Sequence, residues 1–121
     1  MTKNFSINEF QCKCGCEMPA NVKYNIEKLA EELQVLREVV DSPIAINSAY
    51  RCPSHNKRIG GVTSSQHLLG KASDIVVKGH KPSDTHSLVE SLMKDNVMAE
   101  GGLGKYNTFT HYDIRGNKAR W

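Results

Sequence analysis

The chain has 121 residues, 39% of them apolar and 24% charged, which is long enough for one hydrophobic core and excludes disordered, fibrous and membrane-spanning classes. Its formal charge of +3 is the balance of 16 basic and 13 acidic residues. These are scattered rather than gathered into a tract that follows a phosphate backbone, so nucleic acid is not an expected partner. The mild positive balance suits an anionic polymer, and it equally suits solubility alone.

The opening residues Met1-Thr2-Lys3-Asn4-Phe5-Ser6 lack the apolar run of a signal peptide, and no later stretch approaches a membrane span. The expectation is a protein made in the cytoplasm, with no membrane contact. Ser6-Ile7-Asn8-Glu9 has the form of a capping box, with Phe5 and Phe10 at the staple positions around it, which predicts a short helical turn. Cys12-Lys13-Cys14-Gly15-Cys16 then predicts a tight loop.

From Asn21 to Val40 the residues Ile26, Leu29, Leu33, Leu36 and Val40 recur at steps of three and four, the pattern of one helix face. Asp41-Ser42-Pro43 ends that helix, and Ile44 to Ser48 reads as a short strand. Arg51-Cys52-Pro53 turns the chain into a polar stretch that runs to Gly60-Gly61. Ala72 to Val77 is a second strand. Ser83 can cap a helix that points Leu88, Val89 and Leu92 inward and ends near Asn96. Gly101-Gly102-Leu103-Gly104 introduces a last pair of strands, and alternation over Phe109 to Ile114 sends Phe109, His111 and Asp113 to one face. The interval after Ile114 is too short for another crossover. The expected fold is a single α+β domain over residues 1–121, with a small, mainly antiparallel sheet flanked by helices.

Of the five histidines, two stand in settings suited to a metal site. His67 lies among polar and glycine-rich loop residues and His111 on a strand. In Ser65-Gln66-His67-Leu68-Leu69-Gly70-Lys71-Ala72-Ser73-Asp74 the small residues let a loop histidine and a strand-entry aspartate converge. On spacing alone Asp74 can equally cap a turn, and His67 can be a solvated loop residue. His80 and His86 sit near turn signals, and His55 is read as a turn or substrate-edge residue.

Three segments occur together and in order: Ser48-Ala49-Tyr50-Arg51, Ser65-Gln66-His67 through Asp74, and Phe109-Thr110-His111-Tyr112-Asp113. With the opening Phe5 to Phe10 and the stretch Tyr50 to Asn56, they resemble the M15 family of zinc D-alanyl-D-alanine peptidases, in its small phage-type subgroup. The resemblance covers nearly the whole chain. It implies a Hedgehog/D,D-peptidase-like architecture and one catalytic zinc ion held by His67, Asp74 and His111. It also implies that Arg51 contacts substrate near the scissile bond. Hedgehog, a signalling protein, shares this architecture and a similar zinc site, so metal binding alone does not establish catalysis.

The implied activity is hydrolysis of peptide bonds in bacterial peptidoglycan stem peptides, as an endopeptidase or a D,D-carboxypeptidase, with endopeptidase cleavage favoured. The enzyme would act as a monomer, and like a phage endolysin would reach the cell wall through a holin or dedicated export. Better-known members carry an acid or histidine two or three residues before the last metal-binding histidine. Here those positions are Phe109 and Thr108. Asp113 is the substitute general base, because two residues along a strand return to the face of His111; the competing reading is that it orients a ligand through a hydrogen bond. Glu100 is a weaker alternative base. Ser65 and Gln66 can hydrogen-bond a peptide, although a polar loop needs such residues for solvation anyway.

Four cysteines, Cys12, Cys14, Cys16 and Cys52, allow a zinc tetrathiolate, one or two disulfides, or free thiols. A structural role with Cys52 near the Cys12–Cys16 loop is expected, with the pairing open. The missing conventional base keeps a second function class in play, a noncatalytic zinc module that binds cell-wall peptides or a protein partner. A structural component of a phage or secretion particle ranks last.

Overall fold

The computed structural model describes residues 1–121. The element order is a 3-10 turn Ile7–Phe10, helix α1 Ala20–Val40, strand β1 Ile44–Ser48 and helix α2 Pro53–Arg58. A second 3-10 turn Gln66–Leu69, strand β2 Ala72–Val77, helix α3 Pro82–Lys94, and strands β3 Gly102–Lys105, β4 Thr110–Asp113 and β5 Ala119–Arg120 follow. No helix is long and apolar enough to cross a membrane.

The opening turn forms as its sequence dictates. The Ser6 N–H donates to Glu9 Oε2 at 2.8 Å, and Phe5 meets Phe10 edge to face with centroids 6.0 Å apart, as a capping box and staple require. Helix α1 buries Val22, Ile26, Leu29, Ala30, Leu33 and Leu36, and stops where Asp41 turns left-handed at φ 48°. Helix α3 starts two residues earlier than expected. Lys81, not Ser83, occupies the cap, because Pro82 fits the first helical position with its fixed φ and absent N–H. Its buried residues are Thr85, Val89 and Met93, with Leu88 and Leu92 half-buried beside them. The polar stretch after Arg51 contains the short helix α2, also opened by a proline.

The five strands lie in the order β1-β2-β4-β3-β5. Three pairings are antiparallel, and β3 with β5 is parallel, so the sheet is mixed. This corrects the expected mainly antiparallel sheet. After β4 the chain passes the start of β3 and adds a last strand to its far edge, a route that needs no long crossover. The passage is open because a Cβ on Gly101 would lie 2.0 Å from the Asp113 carbonyl oxygen, and one on Gly102 would lie 2.2 Å from the Asp113 carboxylate.

Ile75, Val77, Leu103 and Tyr112 join the hydrophobic core with residues of α1 and α3. The opposite face carries the alternate residues. A register shift between Ile46 and Ser48 on β1 pairs Ser48 with Asp74. This bulge moves Ser48 from the face of Ile44 and Ile46 to the face of Asp74, as an inserted residue must in a period-two strand.

Candidate metal centre

The sheet register assembles the site. Asp74 on β2 is directly opposite His111 on β4, and His111 is opposite Gly104 on β3. Ser48, Asp74, His111 and Gly104 therefore form one row across the sheet. Directly opposed residues bring their Cβ atoms to within about 5.5 Å, close enough for a carboxylate and an imidazole to meet.

His67 reaches this row from the 3-10 turn Gln66–Leu69. Ser65 Oγ accepts the His67 backbone N–H at 3.2 Å, and Gly70 closes the turn at φ 74°. Only glycine fits there, since a Cβ would also lie 2.7 Å from Val22 Cγ1. Asn25 of α1 donates to the Leu69 carbonyl at 2.8 Å and ties the turn to the helix.

His67 Nε2 lies 3.3 Å from Asp74 Oδ1, and His111 Nδ1 lies 3.1 Å from the same oxygen. The donor atoms of the three residues fall within 4.8 Å of one another, and all three side chains are buried. Each imidazole has its other nitrogen occupied. His67 Nδ1 is 2.6 Å from the Ala49 carbonyl, which can only accept, so Nδ1 carries the proton and Nε2 presents a lone pair. His111 Nε2 is 2.7 Å from Asp113 Oδ2, which by the same argument leaves Nδ1 for the site. Two imidazole nitrogens and a carboxylate oxygen with fixed tautomers are the donor set of a catalytic zinc site, so the residues present fit the ion.

Burial alone would push the Asp74 carboxyl up, but the His111 and His67 imidazoles beside it outweigh that when no cation is bound and hold it well below the usual carboxylate range. Asp113 behaves likewise. Burial is overcome by His111, Arg115 and the Gly102 N–H. For His111 burial works downward, and Asp113 with Asp74 overcomes it, so this imidazole is raised in the absence of a cation.

The remaining residues proposed from sequence separate clearly. Arg51 lines the cleft in front of the row, donating to Asp74 Oδ2 at 3.4 Å, Ser48 Oγ at 3.2 Å and Asn56 Oδ1 at 3.4 Å. Ser65 and Gln66 also line that cleft, which has a volume of about 460 Å³. Asp113 does not line it. Fully buried, it accepts from His111, the Gly102 N–H at 2.8 Å and the Arg115 guanidinium at 2.8 and 2.9 Å. Glu100 is also outside the cleft, held by Arg120 at 2.9 Å. His55, His80 and His86 are absent from the lining.

Sequence reasoning missed an aromatic wall. Trp121 lies 4.8 Å from the His111 ring and donates from Nε1 to the Tyr106 hydroxyl at 2.8 Å, while Tyr106 stacks on Phe109 at 4.4 Å. Gly104 makes room for it, since a Cβ there would lie 2.5 Å from Trp121 Nε1. It also missed Asn56, a buried residue that holds Arg51 with one end of its amide and the Val62 carbonyl with the other. No periodic pattern marks these residues: Trp121 reaches Tyr106 and His111 from the end of the chain, and Asn56 acts within its own stretch of chain on Arg51 and Val62.

No curated protein matches the chain. Residues 3–113 match a family model described as Peptidase M15, a span that contains His67, Asp74, His111 and Arg51. The chain belongs to the Peptidase M15 family.

Proposed function

We propose that this protein is a zinc-dependent metallopeptidase that hydrolyses peptide bonds in peptidoglycan stem peptides, with His67, Asp74 and His111 holding the ion. The observation that carries the reading is the pair of fixed tautomers, which aims one lone pair from each histidine at Asp74 Oδ1. Family membership supports the peptidase chemistry. A zinc ion held there supplies a Lewis acid that lowers the pKa of water toward about 7 and polarises a carbonyl.

The chain's own residues do the rest. Ala49 and Asp113 keep the two imidazoles oriented. Arg51, braced by Ser48 and Asn56, offers a planar cation to a substrate carboxylate or to the oxyanion that develops at the scissile carbonyl. Gln66 and Ser65 border the cleft where a peptide backbone would lie. Tyr106 accepts from Trp121, which leaves its own O–H to donate to a ligand. Asp113 is a positioning residue in this reading and not the general base, since its oxygens are taken by His111, Gly102 and Arg115.

The small size and the resemblance to phage-type members favour an endopeptidase over a D,D-carboxypeptidase. The enzyme would act as a monomeric single domain, delivered to the wall by a holin or by export. A second reading, a noncatalytic zinc module that binds cell-wall peptides, is favoured by one observation: Asp74 is the sole carboxylate lining the cleft.

Digestion of purified peptidoglycan by zinc-loaded protein, with mass spectrometry of the products and a His67→Ala control, separates the two. Metal-dependent release of defined fragments supports the peptidase and names its bond. Binding to peptidoglycan with no fragments, by folded protein carrying zinc in this site, supports the module.

A further inference from the structure

A second cluster of metal-binding side chains stands on different residues from the cleft. Alternate residues of an extended strand lie roughly 6.5 Å apart, so Cys12, Cys14 and Cys16 can bring their sulfurs together only if the chain folds back. It does so at Gly15, whose N–H donates to the Cys12 carbonyl at 3.0 Å and whose φ is +84°. A Cβ on Gly15 would meet nothing within 4 Å, so the glycine serves backbone conformation rather than packing. Cys52 arrives from the other side of the fold. The Tyr50 N–H donates to the Phe10 carbonyl at 3.0 Å, and the Cys52 N–H points at Cys12 Sγ at 3.4 Å.

The four sulfurs converge all round. Cys14 Sγ lies 3.2 Å from Cys12, 2.8 Å from Cys16 and 3.3 Å from Cys52, and Cys16 lies 2.8 Å from Cys52. All four are within 4.8 Å of one another, a span that brackets the roughly 3.8 Å edge of a zinc tetrathiolate built from bonds of about 2.3 Å. Disulfide pairing asks each sulfur to face one partner, whereas Cys14 faces three. A backbone N–H aimed at Cys12 Sγ is the kind of outer contact that orients a metal-bound thiolate.

We propose that Cys12, Cys14, Cys16 and Cys52 bind a structural zinc ion in a closed tetrathiolate site. Four protein ligands leave no open position, so this ion takes no part in hydrolysis. Binding releases to solvent the protons that the thiols still hold. The ion ties the N-terminal loop to the corner that carries Ala49 and Arg51, the residues that orient His67 and face the cleft.

The test is zinc stoichiometry, with X-ray absorption at the zinc edge, on reduced full-length protein and on His67→Ala. Wild-type protein is expected to hold two zinc ions and His67→Ala one, with a shell of four sulfurs at about 2.3 Å in the variant. Denaturation with a chelator should then expose four titratable thiols. A His67→Ala protein that folds without zinc overturns the proposal, as does a nitrogen and oxygen shell in that variant, or fewer than four thiols. If the variant fails to fold, the wild-type spectrum decides, since sulfur must then supply about half of the averaged ligands.

Discussion

Asp113 Oδ2 accepts a hydrogen bond from His111 Nε2 at 2.7 Å, and the same imidazole turns Nδ1 to Asp74 Oδ1 at 3.1 Å. A carboxylate that never reaches the cleft thus decides which nitrogen does. Arg115 locks that carboxylate from behind, through Nε and Nη2 at 2.9 and 2.8 Å.

If Asp113 positions His111, Asp113→Asn should weaken zinc binding at the histidine site about 10- to 100-fold, the usual cost of losing such an outer partner. Excess zinc should restore much of the turnover. A base would behave differently: zinc affinity would hold while kcat collapsed and stayed low in excess zinc. Competition with a chromophoric chelator, alongside kcat at saturating metal, reads both quantities.

Zinc affinity should rise with pH as His111 loses its proton. His111 is raised above its ordinary value because Asp113 and Asp74 outweigh its burial. In the metal-free protein its protonated form therefore adds stability that is complete below an unfolded value of about 6.5 and is lost as pH climbs through the folded value. Asp74 and Asp113 are held low and are already ionised in that range. Binding must displace the one His111 proton, so affinity should gain about tenfold per pH unit until the folded value is passed. Calorimetry in buffers of different ionisation enthalpy counts that proton. A pH-independent affinity between about pH 6.5 and the folded value would contradict this account.

Replacing Arg51 by alanine should lower kcat/KM by about 10²- to 10³-fold, the scale of losing one donor to a developing oxyanion, with zinc still bound at the histidine site. Lysine should rescue little, because Ser48, Asn56 and Asp74 each engage a different nitrogen of the planar group. Recovery of full activity by Arg51→Lys would show that a point charge suffices.

The chain has one tryptophan, and its ring sits 4.8 Å from the His111 ring. Zinc titration should therefore change the intrinsic fluorescence, with a midpoint that matches the chelator assay, and His111→Ala should abolish the change. Gly104→Ala should alter the fluorescence of the metal-free protein, since a Cβ there collides with Trp121.

Local sequence was sufficient wherever a contact lies within one turn or along one strand. The staple of Phe5 on Phe10, the apolar face of α1 and the shared face of His111 and Asp113 follow from periods of 3.6 and 2. Resemblance to a known family carried the choice of His67, Asp74 and His111, because spacing cannot tell a ligand from a capped turn. Tertiary structure alone decided the parallel placement of β5, the register that sets Asp74 opposite His111, the His67 tautomer fixed by Ala49, and the wall formed by Trp121. Each of these depends on segments far apart in the chain, whose relative position is set by packing over the whole core and leaves no periodic trace in any one of them.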